Sequence, residues 1–362
     1  MNKQLRQLEE ESYRENDSPE IPPPDIVAYN ELRSCADLYR MKTEGVLEIH
    51  PEFQREFVWK KPDQTRFIDS LIKQLPIPSM CFSMDYKLQK WQVIDGLQRM
   101  STICRLLSGE AWKLSSLEDV DPSLAGAAAQ LFHDRNSNLY PLLVRVQNMT
   151  LPITVLRCDY AKKSHTRYLF TIFHRLNTGG MKLNNQEIRN CIYSGKLNDL
   201  LRSLTEDADW MKLNRMKRAT GHRFTKQELI LRLFAFHDDY KTYGGRLARF
   251  LNDYMDDHRN PDEGELVAKK DLFERTVRIV YRRLFKGTPP TKQPLSVLEA
   301  ILVGVSFNLA HVEAVSDSQA QNMMANLLRH PEFTEEKLVE GLSGKTRLIR
   351  RIDAARKAFS GK

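Results

Sequence analysis

The chain has 362 residues, enough for one large or two ordinary domains. Hydrophobic residues make up 41% and charged residues 28%, which excludes an intrinsically disordered chain. The five cysteines are scattered and form no Cys-x-x-Cys pair, so a zinc ribbon or a disulfide framework is excluded, and we expect a cytoplasmic protein with reduced thiols. The formal net charge of +8 favours an anionic partner, either nucleic acid or nucleotide.

Neither the N-terminal residues nor the longest apolar run has the pattern of a membrane segment. Residues 1–25 are charged, lack the apolar segment of a secretory signal and end in three prolines, so they are predicted to form a mobile arm. The longest apolar run, Val297 to Ala310, is interrupted by Glu299 and Asn308. A buried helix is therefore favoured over a membrane span, and we expect no membrane partner.

Between residues 26 and 160, short strand patterns alternate with helical ones. The intervening helix is predicted over residues 62–75, because its apolar residues fall on one helical face. The second and third strands are predicted to form a hairpin, since only the polar residues 86–90 separate them. The predicted strands cover residues 47–50, 79–85, 91–95 and 153–158.

From about residue 164 onward the apolar residues recur with the period of helices. The pattern Ser296 to Glu299 is that of a capping box, so it predicts a helix that starts there and continues through His311. The predicted fold class is α+β. It comprises a mobile arm over residues 1–25, a small mixed domain over residues 26–160 and a mainly α-helical domain over residues 161–362.

The sequence Asp95-Gly96-Leu97-Gln98-Arg99 ends a strand and begins a helix. A glycine at such a junction lets the backbone approach a ligand, and a helix N-terminus offers unpaired N–H groups that suit phosphate. Arg99 could then bind phosphate oxygens, and Asp95 could hold a metal ion or orient water. The alternative is an ordinary tight turn, with Asp95 as a helix cap and Arg99 in solvent.

Two further segments carry candidate nucleotide-binding residues. Arg55 follows a predicted strand and is either a second phosphate ligand or a surface arginine beside an aromatic cluster. Asn177 and Thr178 follow a predicted helix, and their short polar side chains could face a sugar, a phosphate or a metal-bound water. Gly179 fits the same loop, although a glycine at this place is also a common helix end.

Basic residues are concentrated in a loop over residues 215–223 and in the C-terminal helix. Clusters of Lys and Arg bind nucleic-acid phosphates without sequence preference, although solvated helix faces have the same composition. The candidate DNA-binding residues are Arg218, Arg223, Arg347, Arg350 and Arg351.

Several ordered segments together resemble one known family. They are Phe-Gln-Arg-Glu-Phe-Val-Trp (53–59), Phe-Ile-Asp-Ser-Leu-Ile (67–72), Leu-Pro-Ile-Pro (75–78), Val-Ile-Asp-Gly-Leu-Gln-Arg-Met-Ser-Thr (93–102) and Phe-His-Arg-Leu-Asn-Thr-Gly-Gly (173–180). This set resembles the DGQQR family of ParB/sulfiredoxin-like domains. Over roughly residues 35–260 the chain is similar to the N-terminal part of the GmrSD modification-dependent restriction enzyme and of the phosphorothioation-linked defence protein SspE.

The resemblance implies a ParB-like nucleotide-binding fold that hydrolyses a nucleoside triphosphate, with ATP and Mg²⁺ expected. It assigns catalysis to Asp95, Gln98 and Arg99, with Asp95 also at the metal. Gly96 and Arg55, together with the residues of the Asn-Thr-Gly loop, match nucleotide-binding positions. The resemblance also implies that the protein acts on DNA as part of a modification or phage-restriction system.

Two departures from the family pattern shape the functional hypothesis. Leu97 replaces the usual glutamine, and no closely spaced histidine set of an HNH nuclease follows residue 260. We therefore expect a stand-alone ATPase subunit that acts with a partner DNA-modifying or nuclease protein. Its length and layout are similar to the ParB-like ATPase component of systems that insert 7-deazaguanine into DNA. The alternatives are a non-hydrolytic nucleotide- or DNA-sensing module that recruits a partner, and a nuclease that uses the ParB-like site itself.

Overall fold

The computed structural model describes residues 22–49, 59–176, 184–215, 225–290, 294–334, 336–338 and 343–361. The chain forms two compact units, which divide between residues 182 and 183. The first contains a mixed five-stranded sheet with helices, and the described part of the second is helical. The predicted α+β fold class is confirmed.

The first unit is built on a sheet with the strand order β1-β5-β3-β4-β2. β3 runs parallel to β5, and β2 runs parallel to β4, while the other two pairs are antiparallel. Its strands are β1 (Val27–Ser34), β2 (Leu47–Glu48), β3 (Met80–Asp85), β4 (Lys90–Asp95) and β5 (Thr150–Cys158). Its helices are α1 (Cys35–Thr43), α2 (Lys61–Ile72), α3 (Leu97–Leu107), α4 (Tyr140–Asn148) and α5 (Lys163–Leu176).

The core of the first unit lies between one face of the sheet and helices α1 to α4. Alternate residues of β3, β4 and β5 point into it, as the period of a strand requires. On the helix side, α2 contributes Phe67, Ile68 and Leu71, and α3 contributes Met100 and Ile103. These side chains are buried, so the predicted apolar face of the residue 62–75 helix is confirmed, although that helix ends at Ile72.

Helix α5 belongs to the first unit, which therefore extends beyond the boundary expected near residue 160. It contacts β4, and its buried residue His165 fixes the chain that follows β5. His165 Nδ1 accepts a hydrogen bond from the backbone N–H of Asp159 at 3.0 Å, while Nε2 lies 2.8 Å from Asp25 Oδ1. These contacts connect the start of α5 to the sheet.

The second unit is a stack of helices around α12. Its α-helices, within the described residues, are α6 (Asn185–Ile192), α7 (Lys196–Leu204), α8 (Ala208–Leu213), α9 (Thr225–Asp239), α10 (Leu247–Asp257), α11 (Glu263–Arg278), α12 (Leu295–Ser306), α13 (Leu309–Ala314), α14 (Asp317–Arg329) and α15 (Lys345–Phe359). α12 is buried from Ser296 to Ser306 and contacts α9, α11 and α15. A Cβ at Gly304 would lie 2.8 Å from Ala355 Cβ, so the glycine allows α12 and α15 to approach closely.

The capping box predicted at the start of α12 is wrong. The helix begins at Leu295 after Pro294, and Ser296 lies within it without capping it. Glu299 instead accepts a hydrogen bond from Arg232 Nη1 at 3.0 Å. The helix also ends at Ser306 rather than at His311, because α13 starts separately.

Two buried arginines connect α6, α9 and α12. Arg189 of α6 and Arg232 of α9 are 1% and 2% exposed. Both donate to Glu228, with Arg189 Nη1 at 2.8 Å from Oε2 and Arg232 Nη2 at 2.6 Å from Oε1. Burial alone would raise the pKa of the Glu228 carboxyl, but Arg232 and Arg189 outweigh burial and lower this pKa to about 2. The charged form of Glu228 therefore stabilises the fold.

No helix of the described segments is long and apolar enough to cross a membrane.

We predict that Glu228→Gln destabilises the protein near neutral pH, because both arginines lose their shared carboxylate. The expected loss is on the order of 3 kcal/mol of unfolding free energy. Since the folded pKa lies below the usual value of 4.5, this contribution is complete above pH 4.5 and is lost as the pH falls towards 2. Urea unfolding of the variant and the wild type should therefore converge at low pH.

The matched control is Glu263→Gln, which removes an exposed carboxylate that lies 2.9 Å from Lys196. Its effect should be much smaller, because solvent screens exposed ion pairs. A stability difference for Glu228→Gln that persists unchanged at pH 2 would contradict the ion-pair interpretation.

Candidate functional site

The Asp-Gly-Leu-Gln-Arg sequence forms the predicted strand-to-helix junction. Asp95 is the last residue of β4, and α3 begins at Leu97. Gly96 between them has φ +96°, a left-handed conformation that residues with a Cβ rarely adopt. No side chain caps α3, and its first turn contains no acidic residue. The N-terminal end of α3 therefore keeps the partial positive charge that favours an anion.

Asp95 and Arg99 form an ion pair across the first turn of α3. Arg99 Nη2 donates to Asp95 Oδ2 at 2.8 Å, and Nη1 donates to the carbonyl oxygen of Pro78. The Arg99 side chain is only 14% exposed, while that of Asp95 is 39% exposed. Burial lowers the pKa of Arg99 from its ordinary value, but an arginine stays charged at neutral pH. The site thus holds a guanidinium in a fixed orientation.

Gly96 is required by packing as well as by its backbone conformation. A Cβ at this position would lie 2.5 Å from Cγ and 2.8 Å from Sδ of Met80, which is fully buried. The space that we expected a ligand to use is filled on this side by Met80. The glycine therefore has a structural explanation that is independent of any ligand.

Gln98 connects α3 to the chain segment that precedes α2. Its Oε1 accepts a hydrogen bond from the backbone N–H of Trp59 at 3.3 Å. Gln64, which is 1% exposed, donates from Nε2 to the carbonyl oxygen of Trp59 at 2.9 Å and accepts from Arg105 at 3.1 Å. These bonds hold Trp59 against α3. In this geometry Gln98 is a positioning residue, and the neighbouring Leu97 packs against the core.

The other predicted nucleotide-binding residues lie outside the described residues: Arg55, Asn177, Thr178 and Gly179. Each of the two segments that contain them is next in sequence to a described part of the chain that contacts the junction or β4. Trp59, four residues after Arg55, is bonded to Gln98, and α5, which precedes Asn177, contacts β4. Whether these four residues contact a nucleotide stays a prediction.

The junction offers one carboxylate to a metal ion. The described residues contain no group of three or more His, Cys, Asp or Glu side chains arranged to hold one. Mg²⁺ at nucleotide sites is commonly held by one or two carboxylates together with phosphate oxygens and water. The half-exposed carboxylate of Asp95 fits this kind of binding, in which a nucleotide supplies other ligands.

The predicted DNA-binding arginines differ in how far their side chains are exposed to solvent. Arg350 is exposed and Arg347 is half-buried on α15, whereas Arg351 is 2% exposed. The expectation that Arg351 contacts DNA is wrong, because α15 turns this side chain into the core. Arg218 and Arg223 lie outside the described residues.

Two exposed cations that the sequence analysis missed lie close to the start of α15. Tyr243 Oη donates to the carbonyl oxygen of Ser343 at 2.6 Å, and a Cβ at Gly245 would lie 3.5 Å from the backbone nitrogen of Lys345. Lys241 and Arg246 flank this contact and are exposed, as is Lys345. The signal in the sequence is Lys241-Thr-Tyr-Gly-Gly-Arg246, where cations flank a tight turn. We call Lys241, Arg246 and Lys345 the basic surface.

Comparison with known protein families identifies the part of the chain that carries the junction. Residues 35–194 match the family model of the GmrSD restriction endonuclease, N-terminal domain. The match runs from α1 to just beyond α6, and it confirms the resemblance to the N-terminal part of GmrSD over this range. No curated protein and no solved structure matches the chain.

We predict that Gly96→Ala destabilises the protein by about 2–4 kcal/mol, because an alanine is strained at positive φ and overlaps Met80. Gly45→Ala is the matched control. Gly45 also has positive φ (69°), but a Cβ there meets nothing within 4 Å. Gly45→Ala should therefore lose only the unfolding free energy that backbone strain at positive φ removes, about 1 kcal/mol.

Chemical denaturation of four variants checks this explanation. Beside Gly96→Ala and Gly45→Ala, these are Met80→Ala and the double variant Gly96→Ala with Met80→Ala. The double variant should lose less than the sum of its single variants, because the smaller side chain removes the overlap. Equal losses for Gly96→Ala and Gly45→Ala would show that Met80 does not determine the need for glycine.

Proposed function

We propose that the GmrSD-like segment binds and hydrolyses a nucleoside triphosphate, with ATP and Mg²⁺ as the expected pair. The observation that carries this proposal is the fixed guanidinium of Arg99 beside the uncapped start of α3. Arginine and free helix N–H groups are both common phosphate ligands. A phosphate beside the start of α3 would contact the Arg99 guanidinium and the free helix N–H groups, and the backbone would keep its conformation.

The proposal assigns a role to each group at the junction. Arg99 neutralises phosphate, and Asp95 orients Arg99 and offers an oxygen to the metal ion. Gln98 fixes Trp59, which follows Arg55 by four residues in the sequence. Arg55 is proposed to approach the phosphates from the segment before Trp59, and the Asn-Thr-Gly loop to line the rim. When bound, Mg²⁺ supplies charge neutralisation at the phosphates.

We further propose that the chain serves a DNA restriction or modification system. The support is the family match, since the matched model is named for a restriction endonuclease. The protein would act with a partner nuclease or DNA-modifying enzyme, and nucleotide hydrolysis would license or drive that partner.

Phosphate release from ATP, GTP and CTP with Mg²⁺, with and without DNA, tests the enzymatic proposal. We expect turnover by the wild type and a loss of 10²-fold or more, as an order of magnitude, in Asp95→Ala and Arg99→Ala. Arg66→Ala is the control, because Arg66 is a half-exposed cation of α2 that pairs with Asp119 rather than with the junction. It should retain full activity.

Three outcomes separate the possibilities. Turnover that is lost in both junction variants supports hydrolysis at this site. Tight nucleotide binding without turnover, in the presence of DNA, would favour a sensing module instead. Absence of any nucleotide binding would refute the nucleotide site.

We propose the basic surface as the DNA contact of the second unit. Its three cations are exposed, and the described residues provide no ion-pair partner for Lys241, Arg246 or Lys345. Unneutralised cations that are close together attract a polyanion, and binding releases its counterions. The net charge of +8 agrees with such a partner.

Replacing Arg246 and Lys345 by alanine should weaken DNA binding at low salt. Each lost phosphate contact lowers the slope of log affinity against log salt by about 0.9. Lys270→Ala is the matched control, since Lys270 is exposed but lies 3.8 Å from Glu274. Fluorescence anisotropy over a salt series measures the DNA affinity and its salt dependence. An unchanged slope in the double variant would exclude this surface as the DNA contact.

A further inference from the structure

Strand β1 is the last strand at one end of the sheet that the described residues form. It pairs with β5 over eight residues, Val27 to Ser34, and no described strand pairs with its other side. The register with β5 is continuous, whereas the β3–β4 pair has a shift at Cys81. An edge strand of this length exposes a row of backbone donors and acceptors.

The features of β1 that could hinder edge pairing are the charged residues Glu31 and Arg33, which form an ion pair with each other within the chain. Proteins commonly protect edges with proline, lysine or a β-bulge, and Val27 to Ser34 has none of the three. Leu32 is 70% exposed and Val27 is 48% exposed, so apolar side chains accompany the open edge. At the opposite edge of the sheet, β2 has only two residues.

We propose that β1 pairs antiparallel with β1 of a second copy of this chain, centred on Leu32. Two identical edges that join antiparallel are related by a two-fold axis normal to the sheet. This axis keeps each residue on the same face of the sheet, so the central residue of the pairing lies opposite itself. The axis can lie at Asn30, Glu31 or Leu32. An axis at Asn30 pairs residues 27–33, an axis at Glu31 pairs residues 28–34, and an axis at Leu32 pairs residues 30–34.

The charges of β1 select Leu32 as the centre. With Leu32 on the axis, Glu31 of each copy lies opposite Arg33 of the other, which places two opposite-charge pairs on one face. Directly opposed pairs of this kind stabilise a sheet, and like charges destabilise it. With Glu31 on the axis, the two carboxylates would oppose each other. With Asn30 on the axis, no pair of opposite charges forms.

The existing contacts of Arg33 are compatible with this arrangement. Its Nε donates to Glu31 at 2.6 Å and its Nη1 donates to Asp37 at 2.7 Å within the same chain. The Arg33 side chain stays about a quarter exposed, so Glu31 of a second copy can reach its guanidinium. On the other face of the sheet, the two Leu32 side chains would remove their apolar surface from water.

Charge reversal followed by mixing tests the register in the full-length protein. Glu31→Lys alone sets Lys against Arg33, and Arg33→Glu alone sets two glutamates against each other. Each variant should be monomeric in sedimentation experiments under conditions where the wild type dimerises. Mixed together, the two variants should form a heterodimer, because every opposed pair again has opposite charges. A monomeric wild type at high micromolar concentration would overturn the proposal.

A cysteine placed at the axis gives an independent test that needs no charge change. Opposed residues of antiparallel strands have Cα atoms about 4.5–5.5 Å apart, within the range of a disulfide. The five native cysteines are buried, so Leu32→Cys adds the exposed thiol. It should crosslink two copies under mild oxidation. Leu88→Cys is the matched control, since Leu88 is 67% exposed in the β3–β4 turn. Equal crosslinking of both variants, or dimers that survive both charge reversals, would refute pairing at Leu32.

Discussion

At Gly96 the chain leaves β4 in a left-handed conformation and enters α3 with Met80 packed where a side chain would otherwise lie. This one turn sets the direction of α3, and the direction of α3 sets its polar contacts. Arg99 can reach back to Asp95, and Gln98 can hold Trp59, only because the helix starts here. The candidate phosphate site is thus a consequence of backbone geometry and core packing before any ligand arrives.

Local patterns predicted much of the first unit. The β3–β4 hairpin, helix α2 and the Asp-Gly junction depend on neighbours close in sequence, and all three form as expected. The pairing of Asp95 with Arg99 is also local, since the two residues are one helical turn apart. Sequence reasoning placed both in the site, but it assigned them to a ligand and missed their contact with each other.

Contacts between distant residues explain the failures. β1 was missed because an edge strand with polar residues on both faces lacks the apolar alternation of a half-buried strand. Ser296 and Glu299 matched a capping box, but Glu299 binds Arg232, which is 67 residues away. Arg351 differs from its exposed neighbour only in the side of α15 on which it lies. The packing of Met80 against Gly96 had no local signal at all.

The buried arginine pair shows that the limits of a sequence family need not be the limits of a cooperative folding unit. α6 lies inside the matched residues 35–194, yet Arg189 on this helix is neutralised by Glu228 of α9. A chain cut after residue 194 would leave that guanidinium without its carboxylate. The unit that unfolds cooperatively should therefore include α6 together with α9 and α12, which lie outside the matched residues.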